Sequence, residues 1–273
     1  MIQAHRIAGA LGAEITGVDL SGPLSREDFG ELKRLWLEHL VIFFRGQPLS
    51  ESQYMAFAGR FGEPVEYPMV KGLAGFPKII EVKKLEHERA AFGAIWHTDT
   101  AYLERPPMAS MLLARELPPY GGDTLFANMY LAYEALSDGM KRVLSGLRAI
   151  NSSAKADVSK TREDAIKASG IEIKNYSAEH PVVRTHPETG RKALYVNPGH
   201  TVRFTGWTEE ESAPLLRFLF DHQVKPEFTC RFAWQPGSIA MWDNRCALHN
   251  PVNDYHGYKR LMLRITLAGD VPA

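Results

Sequence analysis

Three side chains define the chemistry open to this chain: His97 and Asp99, in the run Ile95-Trp96-His97-Thr98-Asp99-Thr100, and His249 far downstream. Positions i and i+2 of an extended backbone project to the same face. The imidazole of His97 and the carboxylate of Asp99 can therefore grip one edge of a metal ion. A second imidazole, brought in from a distant strand by His249, completes a three-ligand face. Two His and one carboxylate with open positions suit a non-heme Fe(II) centre that both a co-substrate and O2 must reach. A His-x-Asp pair alone is commonly a surface loop feature. Its weight here comes from the arginines that accompany it.

Arg260 follows His249 by eleven residues, in the run Tyr258-Lys259-Arg260-Leu261-Met262-Leu263-Arg264-Ile265-Thr266-Leu267. The run alternates strictly, with Leu261, Leu263, Ile265 and Leu267 on one face and Arg260, Met262, Arg264 and Thr266 on the other. The apolar face should pack against the body of the protein. The other face either meets solvent, as on an edge strand with two solvated arginines, or lines a cavity. In a cavity, two guanidinium groups could hold two different anions beside one metal. Arginine suits that task because its planar fork binds a carboxylate or sulfonate through two hydrogen bonds and stays charged.

The elements that must position these residues are legible in outline. Ser25 can cap a helix over 26–39, with Leu32, Leu35, Trp36 and His39 on one face. Residues 12–20 read as a short strand region with a turn at Gly17, and Val41–Phe44 as a buried strand. A second helix near 50–60 opens at Ser50-Glu51-Ser52 and ends at Gly62. The stretch 64–95 mixes Pro, Gly and charge, and reads mostly as a loop over the site. Strands are expected at about 108–115, 124–128, 193–197, 228–234, 238–242 and 260–267. Pro236-Gly237 marks a tight turn, so His249 falls on a loop or strand just past a hairpin. The Gly121-Gly122 pair is a turn that sets the entry angle of Thr124. The polar segment 150–179 reads as a mobile lid or insertion. The helix at 208–223, with Leu215, Leu216, Phe218, Leu219 and Phe220, should pack outside the sheet. Trp96 and Trp242 read as packing around the metal. His5, His39, His87, His180, His186, His222 and His256 read as surface or capping residues. Many short strands separated by turns argue for a mainly β protein with flanking helices, a double-layer jelly roll of the cupin-like kind. With no repeat and no linker, residues 1–273 read as a single domain.

The chain has 273 residues, 45% of them hydrophobic, a length that one β-rich barrel or sandwich can reach. Lys+Arg and Asp+Glu are both 32, so no global field draws it to nucleic acid or a membrane surface. Two cysteines, Cys230 and Cys246, are too few for a disulfide framework and read as buried, reduced thiols of a cytoplasmic protein. The N-terminus lacks the apolar run of a signal peptide, and no apolar stretch is long enough to span a membrane.

Several blocks carry a resemblance: Leu11-Gly12-Ala13-Glu14-Ile15-Thr16-Gly17-Val18-Asp19-Leu20, Gly59-Arg60-Phe61-Gly62-Glu63, Trp96-His97-Thr98-Asp99, and Gly121-Gly122-Asp123-Thr124. Further on come His180-Pro181-Val182-Val183-Arg184-Thr185-His186-Pro187, Leu194-Tyr195-Val196-Asn197, Trp242-Asp243-Asn244-Arg245, His249, Arg260 and Arg264. By these blocks the chain resembles the taurine dioxygenase/2,4-dichlorophenoxyacetate dioxygenase (TauD/TfdA) family of Fe(II)/2-oxoglutarate-dependent dioxygenases. The resemblance runs nearly end to end and implies the double-stranded β-helix fold. It implies that His97, Asp99 and His249 ligate iron, that Thr124 and Arg260 hold the distal carboxylate of 2-oxoglutarate, and that Arg264 meets the acidic group of the primary substrate. Thr100 and His200 fall at substrate-pocket positions, and a structural role for His200 is equally open.

The departures from the family fall where substrate is chosen. Taurine-oxidising members carry a His and a Tyr just after the Arg-Phe-Gly-Glu block. This chain has Pro64-Val65-Glu66-Tyr67-Pro68-Met69-Val70-Lys71 there, with no His. They carry an Asn shortly before the Trp-His, where this chain has Gly93, and aromatics where it has Ser153 and His200. The polar pocket is thus not reproduced at Tyr67, Val70 and Gly93. The resemblance then implies an enzyme that uses Fe(II), 2-oxoglutarate and O2 to hydroxylate a small anionic organic substrate, an alkyl or aryl sulfonate or sulfate ester, with release of succinate and CO2. The hydroxylated carbon can collapse to a carbonyl plus sulfite or sulfate. An aryloxyalkanoate or other carboxylate is the alternative substrate. A cupin-type metal-binding protein that is no oxygenase would need the three metal ligands but not Thr124 and Arg260. A homo-oligomer, dimer or tetramer, is expected.

Overall fold

The computed structural model describes residues 1–155 and 174–273. The chain opens with β1 (Gln3–Arg6), β2 (Ala13–Thr16), α1 (Arg26–His39), β3 (Val41–Phe44), α2 (Glu51–Phe61), β4 (Pro64–Val65), β5 (Ile79–Lys84), β6 (Ala109–Glu116) and β7 (Thr124–Asn128). Two short helices, α3 (Met129–Glu134) and α4 (Asp138–Leu144), lead to β8 (Arg148–Ser152). After them come β9 (Ser177–Pro181), β10 (Val183–Thr185), β11 (Lys192–Leu194) and β12 (Thr201–Phe204). Helix α5 (Glu209–His222) precedes β13 (Thr229–Phe232), β14 (Ile239–Asp243), β15 (Ala247–Pro251) and β16 (Arg260–Leu267).

The helix starts follow local chemistry. Ser25 Oγ accepts the Asp28 N–H at 3.0 Å, and Ser50 with Gln53, and Thr208 with Glu211, form reciprocal capping boxes. The expected apolar face of α1 is buried through Leu32, Leu35, Trp36 and His39.

The larger sheet runs β1-β2-β3-β14-β6-β16-β4, with β5 also paired to β16. Its central strands β3, β14, β6 and β16 are buried on both faces, and alternation sorts their side chains between two cores. One face sends Ile42, Phe44, Met111, Leu113, Ile239, Met241, Leu263 and Ile265 against Trp36 of α1 and Tyr54, Phe57 and Phe61 of α2. The other sends Val41, Phe43, Leu112, Ala240, Trp242 and Met262 toward Phe126, Phe232 and Leu248 of the smaller β13-β7-β15 sheet. Phe43 stacks on Phe232 across the layers, with ring centroids 4.0 Å apart. The two facing sheets form the jelly roll, and its mouth holds the inner-face residues His249, Arg260 and Arg264.

Strand β16 is not the edge strand with solvated arginines: it lies between β6 and its partners β4 and β5, and Arg260 and Arg264 are buried. The stretch 64–95 is less of a loop than its composition suggests, because β4 and β5 lie within it. In β5, Ile79 and Ile80 are both buried, Glu81 and Val82 are both half-buried and Lys83 is exposed, so no two-residue period marks the strand. The lid or insertion expected at 150–179 begins and ends in the paired strands β8 and β9; its middle, 156–173, lies outside the described residues. Four of the histidines expected at the surface or in caps are buried instead: His39, His180, His186 and His222. Polar partners stabilise three of them there, since His180 meets the Leu103 carbonyl, His222 the Ala132 carbonyl and His186 the Asp243 carboxylate. Phe218 on α5 is about half exposed, while Leu216 and Leu219 are buried.

Candidate active site

His249 lies in the middle of β15, in register with Phe126 of β7. His97 pairs with it as an isolated bridge: the His97 N–H donates to the His249 carbonyl at 3.0 Å, and the His249 N–H returns the bond at 2.8 Å. Two backbone bonds thus set the two imidazoles side by side, with ring centroids 4.1 Å apart. The backbone does not stay extended to Asp99. It turns, and Thr100 adopts a positive φ of 43°, an uncommon strain for a β-branched residue. Thr98 stabilises the turn by donating its hydroxyl to the Asn244 carbonyl at 2.8 Å.

Asp99 is oriented by partners on one side only. Its Oδ2 accepts from Ser110 Oγ at 2.6 Å and pairs with Arg264 Nη2 at 2.7 Å. Its Oδ1 lies 3.6 Å from His97 Nε2 and 3.7 Å from His249 Nε2. One donor atom from each of the three residues lies within 4.8 Å of the others. Burial opposes charge on Asp99, but the Arg264 guanidinium and the two imidazoles outweigh it and hold the carboxyl well below its ordinary range. Burial, with the neighbouring His97, pushes His249 well down, so its ring is neutral. His97 Nδ1 sits 2.7 Å from the Ile95 carbonyl; a proton there leaves Nε2 as a lone-pair donor. An ionised carboxylate and two imidazoles, buried on one face, fit a divalent iron. Ser110 and Asn244 were not singled out from sequence, since a buried serine in an apolar strand and an Asn in a turn carry no mark of their role. Asn244 takes the Trp242 indole N–H at 2.9 Å and donates to Ser110 Oγ at 3.1 Å, which ties the turn to the Asp99 carboxylate.

Two cavities meet at this cluster. The first runs from His97, His249 and Arg264 to Thr124, Tyr255, Lys84 and Arg260. Arg260 is buried with Nε and Nη2 lacking hydrogen-bond partners. Such a cation asks for an anion, and the cavity beside it fits the far carboxylate of a dicarboxylic acid. Thr124 Oγ1 accepts the Trp234 indole N–H at 3.0 Å, which leaves its own proton to donate. Trp234, half-buried, was also missed from sequence, although an indole N–H turned inward needs an acceptor. Gly122, at φ +70°, lets Arg260 lie close to the backbone: a Cβ there would come within 3.2 Å of the Arg260 side chain.

The second cavity, about 320 Å³, opens over His97 and Asp99. Tyr67, Gly93, Thr100 and His200 line it, together with the small and apolar run Ala90-Ala91-Phe92-Gly93-Ala94-Ile95. Val70 lines neither cavity. Arg264 lines the first, and at the second its place is taken by Tyr67, whose ring centroid lies 5.1 Å from the guanidinium carbon. Burial pushes His200 down to about 3, so it presents a neutral ring.

The comparisons with known proteins agree with this geometry. The family model for taurine catabolism dioxygenase TauD, TfdA family, matches residues 3–266. The chain is 37% identical to an alkylsulfatase of Acinetobacter baylyi over 99% of its own length and 86% of the relative's. It is 36% identical to an alpha-ketoglutarate-dependent sulfate ester dioxygenase of Pseudomonas putida, over 99% and 91%. A crystal structure of a taurine dioxygenase from Burkholderia xenovorans superposes with a TM-score of 0.85 at 36% identity, covering 100% of this chain and 91% of that one. Fold, buried donor set and whole-length match agree: the chain belongs to the TauD/TfdA family and is a 2-oxoglutarate-dependent dioxygenase, an oxidoreductase on a jelly-roll scaffold.

Proposed function

We propose that the chain oxidises alkyl sulfate esters, or the related alkyl sulfonates, at the carbon that bears the sulfur-containing group. The observation that carries this reading is the second cavity: the small and apolar run 90–95 walls it, Lys155 also lines it, and it reaches the ionised Asp99, which pairs with the Arg264 cation of the adjoining first cavity. It suits an apolar chain with one anionic head. In this reading His97, Asp99 and His249 hold iron, and Arg260 and Thr124 hold the distal carboxylate of 2-oxoglutarate. When bound, iron with 2-oxoglutarate and O2 supplies the oxidising power, with succinate and CO2 as co-products. The chain's own residues do the positioning. Arg264 gives one amino group to Asp99 and keeps a buried Nε without a partner, the donor we assign to the substrate's anion. The apolar walls exclude water and hold the chain so that the carbon next to the head group faces the metal ligands. Hydroxylation there makes a carbon bearing both hydroxyl and sulfate, which falls apart to an aldehyde and sulfate.

The relatives named for sulfate esters support the head group, and the absence of the polar taurine pocket at Gly93 and Tyr67 supports the apolar body. The same reading keeps the enzyme in a reducing cytoplasm, supported by Cys230 and Cys246, both buried and free. Burial pushes the Cys230 thiol up to about 12, so it stays protonated and inert. The test is a panel of alkyl sulfates, alkanesulfonates, taurine and an aryloxyalkanoate, read by O2 uptake and succinate. Alkyl sulfates or sulfonates are expected to give the highest kcat/KM, and Arg264→Ala to lower it. Taurine or the aryloxyalkanoate ranking first overturns the assignment.

A further inference from the structure

Lys84 ends β5 directly across the antiparallel ladder from Arg260 of β16. Opposed residues stand on one face with Cβ atoms roughly 4.5–5.5 Å apart. Lys84 is 2% exposed and lines the same cavity as Arg260 and Thr124. Its Nζ lacks a hydrogen-bond partner, as do Nε and Nη2 of Arg260. The Lys84 ammonium rests 4.7 Å from the centroid of the Tyr255 ring. Asp123, a carboxylate whose charge reaches Arg260, is itself bound by Arg231 at 2.6 Å. Two buried cations on one face, neither with a hydrogen-bonded counter-charge among the described residues, are costly until an anion joins them. A hydroxyl able to donate, Thr124, stands beside them.

We propose that Lys84 is a second anchor for the distal carboxylate of the co-substrate, shared with Arg260 and Thr124, and that it makes the site demand a dicarboxylic 2-oxo acid. This rests on reading the first cavity as the 2-oxoglutarate site. A carboxylate has acceptor sites enough for both cations and the hydroxyl. A 2-oxo acid that ends in a methyl group leaves both charges buried and uncompensated, whereas a site with Arg260 alone would leave one. The lysine therefore acts more on the choice of co-substrate than on the primary substrate.

The test is calorimetric binding of 2-oxoglutarate and of 2-oxopentanoate to the Mn(II)-loaded protein without O2, for the parent, Lys84→Met, Lys84→Arg and Arg260→Met. Loss of a hydrogen bond to a charged group should weaken 2-oxoglutarate binding roughly 10- to 100-fold in Lys84→Met. 2-Oxopentanoate binding should be unchanged or tighter, so the preference between the two acids narrows by that factor. Lys84→Arg should restore most of it. Thermal unfolding of the metal-free protein adds a readout that a merely structural lysine would move the other way. Lys84→Met should be at least as stable as the parent, because an unpaired buried charge has gone, yet gain less from added Mn(II) and 2-oxoglutarate. If Arg260→Met weakens 2-oxoglutarate binding and Lys84→Met does not, the Lys84 anchor is overturned while the cavity assignment stands. If neither variant weakens it, the cavity assignment itself fails. A Lys84→Met protein that is less stable without ligand, with an unchanged preference between the two acids, makes the lysine a packing element on Tyr255 and also overturns the proposal.

Discussion

Two buried clusters in this protein have nearly the same composition and opposite chemistry. His97, Asp99 and His249 bring three donor atoms within 4.8 Å, and so do His186, Asp243 and Cys246. The second is filled from within. Arg245 donates from Nε to Asp243 Oδ1 at 2.8 Å and from Nη2 to Oδ2 at 2.7 Å, and its backbone N–H adds a bond to Oδ1 at 2.9 Å. His186 Nε2–H donates to Oδ2 at 3.0 Å, while its Nδ1 accepts the backbone N–H groups of Glu188 and Thr189. In the first cluster Arg264 pairs with Asp99 Oδ2, while His97 lines both cavities, His249 the first and Asp99 the second. A metal site is therefore distinguished by donor atoms left uncommitted, not by the residue types or their closeness. The filled cluster works as a clamp, tying α1 to the β14–β15 turn through Arg245, Glu188 and Lys33.

The sharpest break of this comparison is removal of one member from each cluster. His97→Ala, Asp99→Ala or His249→Ala is expected to abolish iron-dependent turnover and the bound metal, while far-UV dichroism keeps the parent's form. Near-full activity in any of the three would remove that residue from the metal site. In the second cluster, Arg245→Ala strands a buried carboxylate and should cost about 3–5 kcal/mol of stability, read by urea denaturation. Iron content of the folded protein should not change; a parallel loss of iron at unchanged stability would make this cluster a second metal centre.

Acid sharpens the contrast. Burial works against the Asp243 carboxylate, but the Arg245 bonds and charge prevail and hold it down at about 2, against an ordinary value of 3.8. A depressed folded-state pKa gives stability that is complete above the ordinary value and lost as pH falls toward the folded one. That contribution is on the order of 2 kcal/mol. The stability gap between the parent and Asp243→Asn should therefore be full at about pH 6 and smaller at about pH 3. A gap that holds constant over that range would show that the carboxylate charge is not what Arg245 stabilises.

How much of this was readable from the residues depends on whether a role leaves a local mark. The alternation at 260–267 and the caps at Ser25 and Ser50 are local, and their elements match the structure to within a residue or so. His97, Asp99 and His249 could be grouped through spacing and resemblance, and the fold brings them together. The partners that shape them could not. Ser110 lies in an apolar run and reaches Asp99 only because β6 passes beneath it, and Lys84 belongs to a strand whose alternation its neighbours hide. The buried histidines His180, His186 and His222 were misplaced for the same reason: each is satisfied by a group distant in sequence. Contacts between distant segments, not local propensity, decide these positions.

The smallest expected effect separates two glycines with almost the same backbone. Gly93 has φ +72° and stands beside His97; Gly190 has φ +70° and its N–H donates to the His186 carbonyl. Alanine at either position carries the left-handed penalty of about 1–2 kcal/mol. At Gly190 a Cβ meets nothing within 4 Å, so Gly190→Ala should lose that amount of stability and keep full turnover. At Gly93 a Cβ would stand 2.9 Å from His97 Cε1, the atom next to the nitrogen that faces Asp99. That imidazole cannot swing aside freely, since its backbone is bridged to His249 and its Nδ1 is bound to Ile95. Gly93→Ala should therefore lower iron affinity in addition to stability, and turnover should recover as iron is raised. Equal losses of stability in the two variants, with iron affinity unchanged in both, would show that the loop of residues 90–95 yields and that Gly93 does not fix the ligand.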